Sequence, residues 1–405
     1  MTMAVAALLA AIGWAVVVAA SVIAAGRVRR RPKGSVSAAT GPTGVGRPAA
    51  HLVLGDLLVG GFVGLATWGA LLFIVNRTLR MTVFGAISVT YLILVVGLPL
   101  VSVAAVVAAT VLRRRERAAP RPRAVSRPAL VACVVGLLLA PVGFYATHIE
   151  PFTLDVERPP PLAVAAERDG EEPITVGVLT DLQTATVGER ENQVVTELLA
   201  AQPDVILLPG DMVQGDDELF ERELPALRAL FNRLEAPGGI YLVEGDVDTP
   251  WGRMAKMVEG TDVRWLDDEV VTTTVRDRTV TLAGIGVDYR SDDALAAVER
   301  LETDPGDSDI RILVSHRPDP VLFLREGSRI DLQVSGHTHG GQVSLPFVGP
   351  LMTLSSVPRD IAAGGLNTYE GHPIYVGHGV GLEHGYAPQI RFGVRPNIGV
   401  LTITG

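Results

Sequence analysis

Five apolar runs after residue 170 of this 405-residue chain each stop at an aspartate or a histidine, and that repetition narrows the possible folds sharply. Val178-Leu179-Thr180 leads into Asp181-Leu182-Gln183, Ile206-Leu207-Leu208 into Gly210-Asp211, and Tyr241-Leu242-Val243 into Gly245-Asp246-Val247-Asp248. Leu313-Val314 leads into Ser315-His316, and Gln333-Val334 into Gly336-His337-Thr338-His339-Gly340-Gly341. Runs this short and apolar suit buried strands, and the strand carboxyl ends of an α/β sheet converge on one edge, where ligands bind. The pattern therefore predicts three carboxylates and three imidazoles meeting at a shared rim.

Between the runs the periodicity alternates. Ile174 to Leu179, Val205 to Leu208 and Ile240 to Val243 read as strands; Arg190 to Ala201 and Glu218 to Leu234 read as helices. This βαβαβ opening predicts parallel pairing with right-handed crossovers. Val270 to Val275 and Thr279 to Ile285 follow as antiparallel strands, Asp292 to Leu301 as a helix, Ile310 to Val314 as a strand and Pro318 to Leu324 as a short helix. Leu332 to Val334, Gln342 to Ser344, Ile374 to Val376, Ile390 to Phe392 and Ile398 to Ile403 complete the strands, with His372 on a surface loop. So many strands require two packed sheets with helices outside.

The first 150 residues differ in kind. They carry 15 Lys and Arg against 3 Asp and Glu, whereas the remainder carries 20 against 41. Ala4 to Ala25, Leu57 to Val75, Val83 to Leu112 and Ala129 to Thr147 contain no Asp, Glu, Lys, Arg or His, and each approaches or exceeds the roughly 20 residues that cross a bilayer. They predict four transmembrane helices. Arginines crowd the first and third connections, Arg27 to Arg47 and Arg113 to Arg127, while the second has only Arg77 and Arg80. The positive-inside bias then places the acidic domain outside the cytoplasm. The arginine clusters sit at span ends with no interleaved aromatics, which argues against nucleic acid as a partner. The only thiol, Cys133, lies in the fourth span, so cysteine can supply neither a disulfide framework nor a metal site. The expected organisation is a membrane domain over 1–150, a Pro-rich spacer over 151–173 containing Pro159-Pro160-Pro161, and a folded domain over 174–405.

Hard oxygen donors mixed with imidazole nitrogens suit Mn²⁺, Fe²⁺ or Zn²⁺, and six donors exceed one tetrahedral site. Two divalent ions sharing a bridging carboxylate would hold a phosphate and lower the pKa of a bridging water for in-line attack. The bland alternative makes Asp181 and Asp211 turn caps and the histidines turn residues, but their joint placement after strands favours ligation.

The order of the motifs resembles the calcineurin-like metallophosphoesterase superfamily and its membrane-anchored bacterial branch, from about Ile174 to the C-terminus. The family pattern runs Asp-x-His, Gly-Asp, Gly-Asn-His-Asp/Glu, a single His, then Gly-His-x-His, here Gly336-His337-Thr338-His339-Gly340-Gly341-Gln342. The resemblance implies a four-layer αββα sandwich of two mixed sheets and a phosphoesterase activity. It implies that Asp181, Asp211 and His339 hold one ion, with Asp211 bridging, and that Asp246, His316 and His337 hold the other. Three positions depart. Gln183 stands where the first motif has His and could coordinate through its amide oxygen; Asp246 replaces Asn; Val247 replaces the histidine that contacts phosphate and protonates the leaving group. Asp248, and His378 or His384 in the Gly-rich run Gly377 to Gly385, are the further catalytic candidates.

The leading expectation is thus a membrane-anchored hydrolase whose partners are the lipid bilayer and a phosphorylated small-molecule or lipid-linked substrate. Gln183 and Val247 motivate the alternative of a catalytically impaired metal- or phosphate-binding sensor or scaffold. A third possibility, a transport or assembly module, is weakened by the absence of those five ionisable residue types from the spans.

Overall fold

The computed structural model describes residues 83–100, 102–103, 127–164, 172–249, 252–303, 308–384 and 387–404. The chain divides into two compact units, the second formed by Tyr145–Gly385 and Gln389–Gly405. The expected spans Ala4 to Ala25 and Leu57 to Val75, and the arginine clusters except Arg127, lie outside the described residues. Of the third span, helix α1 covers Val83–Leu92 and continues through a π-helical turn at Ile93–Gly97. The fourth is helix α2, Arg127–His148, with Pro141 inside it. Among the described residues, one helical stretch, Val134–Phe152, is long and apolar enough to cross a membrane.

The second unit is built on two sheets. In the first, β3 (Ile174–Val178), β4 (Val205–Leu208), β5 (Ile240–Leu242) and β6 (Val263–Trp265) run parallel in that order. The last strand, β15 (Asn397–Thr404), pairs antiparallel with β3. All four residues of β4 are buried, which is why it reads as an unbroken apolar run with no alternation. Helices α3 (Glu189–Ala200), α4 (Asp217–Phe231) and α5 (Arg253–Val258) pack their apolar stripes on the outer face through Val195, Leu198, Leu227 and Met257. The side chain of Asp216 caps α4 by accepting the Leu219 N–H at 2.9 Å.

The second sheet has the order β13 (Gly365–Tyr369), β14 (His372–Val376), β10 (Leu332–Ser335), β9 (Ile310–Ser315), β8 (Arg278–Ile285) and β7 (Glu269–Val275). Its four central strands are parallel and its two edge strands antiparallel. Val176, Leu207 and Val243 meet Leu282, Ile312 and Val334 between the sheets, while helix α6 (Asp292–Thr303) covers the far face through Ala294, Ala297 and Leu301. Helix, sheet, sheet and helix form the expected four layers, with both sheets mixed.

Several local readings change. The spacer does not simply hold the domain off: β1 (Asp155–Glu157) and β2 (Leu162–Ala163) both pair parallel with β15. Glu157 fastens the join, accepting from Asn397 Nδ2 at 2.6 Å and from Tyr375 Oη on the other sheet at 3.0 Å. Lengths of three and two residues and the interrupting prolines hid this pairing from periodicity. Pro318 to Leu324 is a 3₁₀ turn, Asp319–Phe323. The run Gln342 to Ser344 is displaced to β11 (Ser344–Leu345), which pairs with β12 (Gly349–Pro350), and Ile390 to Phe392 makes only a single bridge, Phe392 to Val343. His372 is buried at the start of β14 rather than on a surface loop.

Candidate metal centre

Each candidate ligand stands within a few residues of a strand end, and the backbone there bends hard to aim it. Asp181, Gln183, Asp211, His337 and His339 all adopt positive φ, between 35° and 70°. That left-handed region costs a non-glycine residue roughly 1–2 kcal/mol, so the surrounding contacts must hold it. Glycines supply the room: a Cβ on Gly245 would collide with the Asp211 backbone nitrogen and carboxylate, and one on Gly336 with Thr180 and the Asp181 carboxylate.

Two ligand groups result, and His316 belongs to both. Asp246, His316 and His337 form one; Asp181, Asp211 and His316 form the other, with ligand atoms within 4.8 Å of each other in each group. His316 is completely buried. Its Nδ1 donates to the Pro209 carbonyl at 2.8 Å, which leaves Nε2 facing Asp211 Oδ2 at 3.4 Å and Asp246 Oδ2 at 3.6 Å. His337 is set the same way: Nε2–H donates to the Leu354 carbonyl at 3.1 Å and Nδ1 lies 2.9 Å from Asp246 Oδ2. Asp246 is itself gripped by Arg317, at 2.6 Å from Nη2 and 3.1 Å from Nε. That two-point ion pair offsets the Asp246 charge.

Around the other group, Asp181 is wholly buried and accepts the His337 N–H at 3.1 Å on both oxygens and the Thr180 hydroxyl at 2.6 Å. His339 Nε2 lies 3.4 Å from its Oδ1. Arg391, buried beneath, donates to His339 Nδ1 at 3.2 Å, so Nε2 carries the proton toward Asp181. Gln183 turns its donor inward: Nε2 reaches Asp211 Oδ2 at 3.1 Å and Glu383 Oε2 at 3.3 Å, while Oε1 is buried with no partner. Glu383 also accepts from Gln214 Nε2 at 2.6 Å, Gln214 Oε1 accepts the His384 N–H at 2.7 Å, and His384 Nε2–H returns to the Gln183 carbonyl at 2.7 Å. A closed ring of four residues, through side chains and two backbone groups, thus fixes Gln183. With Nδ1 accepting from Gln389 Nε2 at 2.8 Å, His384 has both ring nitrogens engaged in that ring and its rim.

Asp248 and His378 serve from behind. The Asp248 carboxylate accepts the backbone N–H groups of Asp211 at 2.6 Å, Met212 at 3.0 Å and Gly245 at 3.1 Å, clasping the two turns that carry Asp211 and Asp246. His378 has its ring nitrogens against the carbonyls of Ala363 at 3.0 Å and Arg395 at 3.2 Å, under Gly340 rather than in the cluster. Its pKa is lowered by burial and by Arg391. Val247 contributes only its backbone, donating to Asp211 Oδ1 at 2.9 Å.

The electrostatics call for cations. Burial raises Asp211, and it raises Asp248 to about 7 together with the Asp211 charge, although the three N–H groups oppose that rise. Burial would also raise Asp181 and Asp246, but the neighbouring histidines, with Arg317 in the case of Asp246, hold Asp181 down at about 2 and Asp246 far below the carboxylate range. Burial disfavours charge on His316, yet Asp211, Asp246 and Asp181 push its pKa up to about 10. Its Nε2 has no hydrogen-bond partner within the protein. An orphaned, buried imidazole nitrogen between carboxylates fits a divalent ion, which brings the positive charge the proton otherwise supplies. Asp181, Asp211 and His316, and Asp246, His316 and His337, are the residues that would hold the ions.

Known proteins are similar to this chain in sequence. Residues 174–341 match the model of the calcineurin-like phosphoesterases. The uncharacterized metallophosphoesterase YkuE of Bacillus subtilis is 30% identical over 222 residues, covering 52% of this chain and 71% of YkuE. The phosphodiesterase YaeI of Escherichia coli is 26% identical over 208 residues, covering 50% of this chain and 71% of its own. A Caenorhabditis elegans protein, F40B5.2, is 26% identical over 241 residues, and the aligned region spans only 48% of its length. The chain belongs to the calcineurin-like phosphoesterase family.

Two outcomes follow from the site. Because an ion must displace the His316 proton, metal affinity measured by titration calorimetry rises about tenfold per pH unit between roughly pH 6.5 and 9, one proton being released per ion bound there. Asp248→Asn turns an amide NH₂ toward a backbone N–H; it lowers stability by about 1–3 kcal/mol and weakens ion binding, read by unfolding with and without Mn²⁺.

Proposed function

We propose that this protein is a membrane-anchored, metal-dependent phosphoesterase that hydrolyses a phosphoester or pyrophosphate bond outside the cytoplasm. The observation that carries the hydrolase reading is the orphaned Nε2 of His316, shared by two ligand groups. When bound, two divalent ions polarise the phosphoryl oxygens and lower the pKa of a water. The chain supplies the rest. Asp211 is positioned between the groups by the Val247 N–H and the Asp248 clasp. Arg317, 39% exposed and fixed on Asp246, sets a cation at the mouth of the site to meet phosphate oxygens. The valine at 247 has no proton to give, so the site suits substrates whose leaving group departs without one, a pyrophosphate or an aryl ester.

Anchoring is supported by α2, whose Val135, Leu138 and Phe144 side chains are more than half exposed on an apolar helix. The extracytoplasmic placement is supported by the arginine asymmetry of the connections. The second reading, a metal- or phosphate-binding sensor or scaffold, is favoured by Val247 and by the Gln183 donor facing Asp211.

With full-length protein in detergent, hydrolysis of bis(p-nitrophenyl) phosphate should require Mn²⁺, Fe²⁺ or Zn²⁺ and fall on the order of 10²-fold or more in Asp211→Asn. Val247→His should gain about 10²- to 10⁴-fold on alkyl esters and little on aryl ones. Bound metal without turnover in the unaltered protein would instead establish the binding protein. Alkaline phosphatase fused after Gly405 should be active, and fused within the 113–127 connection inactive; the reverse pattern overturns the extracytoplasmic placement.

A further inference from the structure

An uncharged hairpin lies beside the metal centre with its apolar side chains in the open. From Val343 to Val357 there is no Asp, Glu, Lys, Arg or His. Phe347 at the β11–β12 turn is fully exposed, and Val348, Leu351, Met352 and Leu354 are 41–60% exposed. Five large apolar groups clustered in eight residues are far from the scattered single exposures that soluble surfaces tolerate.

The base of this hairpin rests against the chain where α2 ends. Tyr145, Glu150, Ser344, Leu345, Pro346, Phe392 and Gly393 line one cavity of about 360 Å³. Ser344 N–H donates to the Phe392 carbonyl at 2.8 Å, Arg391 N–H to the Ala146 carbonyl at 2.9 Å, and Gly393 N–H to Glu150 Oε2 at 3.0 Å. Ile149 and Phe152, just beyond α2, are 45% and 62% exposed. The hairpin and the helix terminus therefore form one apolar collar. At its other end the hairpin leads to Leu354, whose carbonyl takes the His337 Nε2–H at 3.1 Å.

Resting on the membrane anchoring proposed above, we propose that residues 345–354 dip into the surface of the bilayer that α2 crosses, so that the metal centre opens toward headgroups and acts on a phosphoester carried by a membrane lipid. A bilayer is the occupant this surface fits. The hairpin adjoins the end of the apolar helix, lacks any charge that would pair with a protein partner, and carries its aromatic at the tip, where an amphipathic surface loop buries one. Immersion removes the apolar side chains from water and fixes the height of His337 above the acyl chains.

The test places a nitroxide at single cysteines in full-length protein carrying Cys133→Ser, reconstituted in phosphatidylcholine–phosphatidylglycerol vesicles. Label sites are Phe347→Cys, Leu138→Cys on α2 and Leu295→Cys on α6. Collisional relaxation by oxygen and by a water-soluble nickel chelate reports depth. The expected result is an oxygen-to-nickel ratio several-fold higher at 347 and 138 than at 295. A label in lipid at 138 but in water at 347 overturns the hairpin proposal and leaves the anchoring standing; water at both overturns both. Equal ratios at 347 and 295, or shielding of 347 from both reagents as a protein partner would give, also overturn it. As a second readout, Phe347→Ser with Leu351→Ser should lower turnover of a vesicle-borne phospholipid diester at least several-fold while leaving bis(p-nitrophenyl) phosphate unchanged; equal loss on both substrates overturns it.

Discussion

Three carboxylates, Asp181, Asp211 and Asp246, gather around a completely buried imidazole, and compensating that negative charge governs the domain's design. Two opposite charges 4 Å apart at the low effective dielectric of an interior interact far more strongly than at the surface, and like charges repel as strongly. Every neighbour answers the imbalance. Backbone N–H groups of His337 and Val247, the Thr180 hydroxyl and the Gln183 amide all point at carboxylate oxygens. Left-handed backbone at five site residues is the conformational cost of bringing such groups together, and the two sheets are stiff enough to impose it.

Asp246 and Gln183 each come with partners. Asp246 adds a charge and Arg317, next to His316 in sequence, neutralises it in a two-point contact. A ring through Glu383, Gln214 and His384 fixes the orientation of Gln183, with Glu383 reaching it from 200 residues away. Such pairing makes the site a coupled unit, its groups held in part by residues that no motif contains.

This coupling also explains what could be read beforehand. The parallel cores β3, β4, β9 and β10 were legible because a strand buried on both faces is mostly apolar, and each leads within a few residues to an ionisable side chain whose burial must be compensated. Asp181, Asp211, Asp246, His316, His337 and His339 stood out for that reason. Asp248 was legible as a candidate but not as a clasp, since its role depends on where three N–H groups point. Glu383 and Arg391 carried no local signal: a Gly-rich run gives no period, and their partners are remote in sequence. Strands β1 and β2 escaped because proline and short length mimic a spacer, and pairing to a distant strand leaves no mark on composition.

Strand β15 lies between β3 on one side and β1 with β2 on the other. It comes after every other described strand in the sequence, yet it closes the sheet that aims Asp181. Until it docks, β3 has an open edge and Glu157 lacks its Asn397 partner. A chain lacking this strand would therefore present an unpaired, sticky β edge to whatever chaperone guards it.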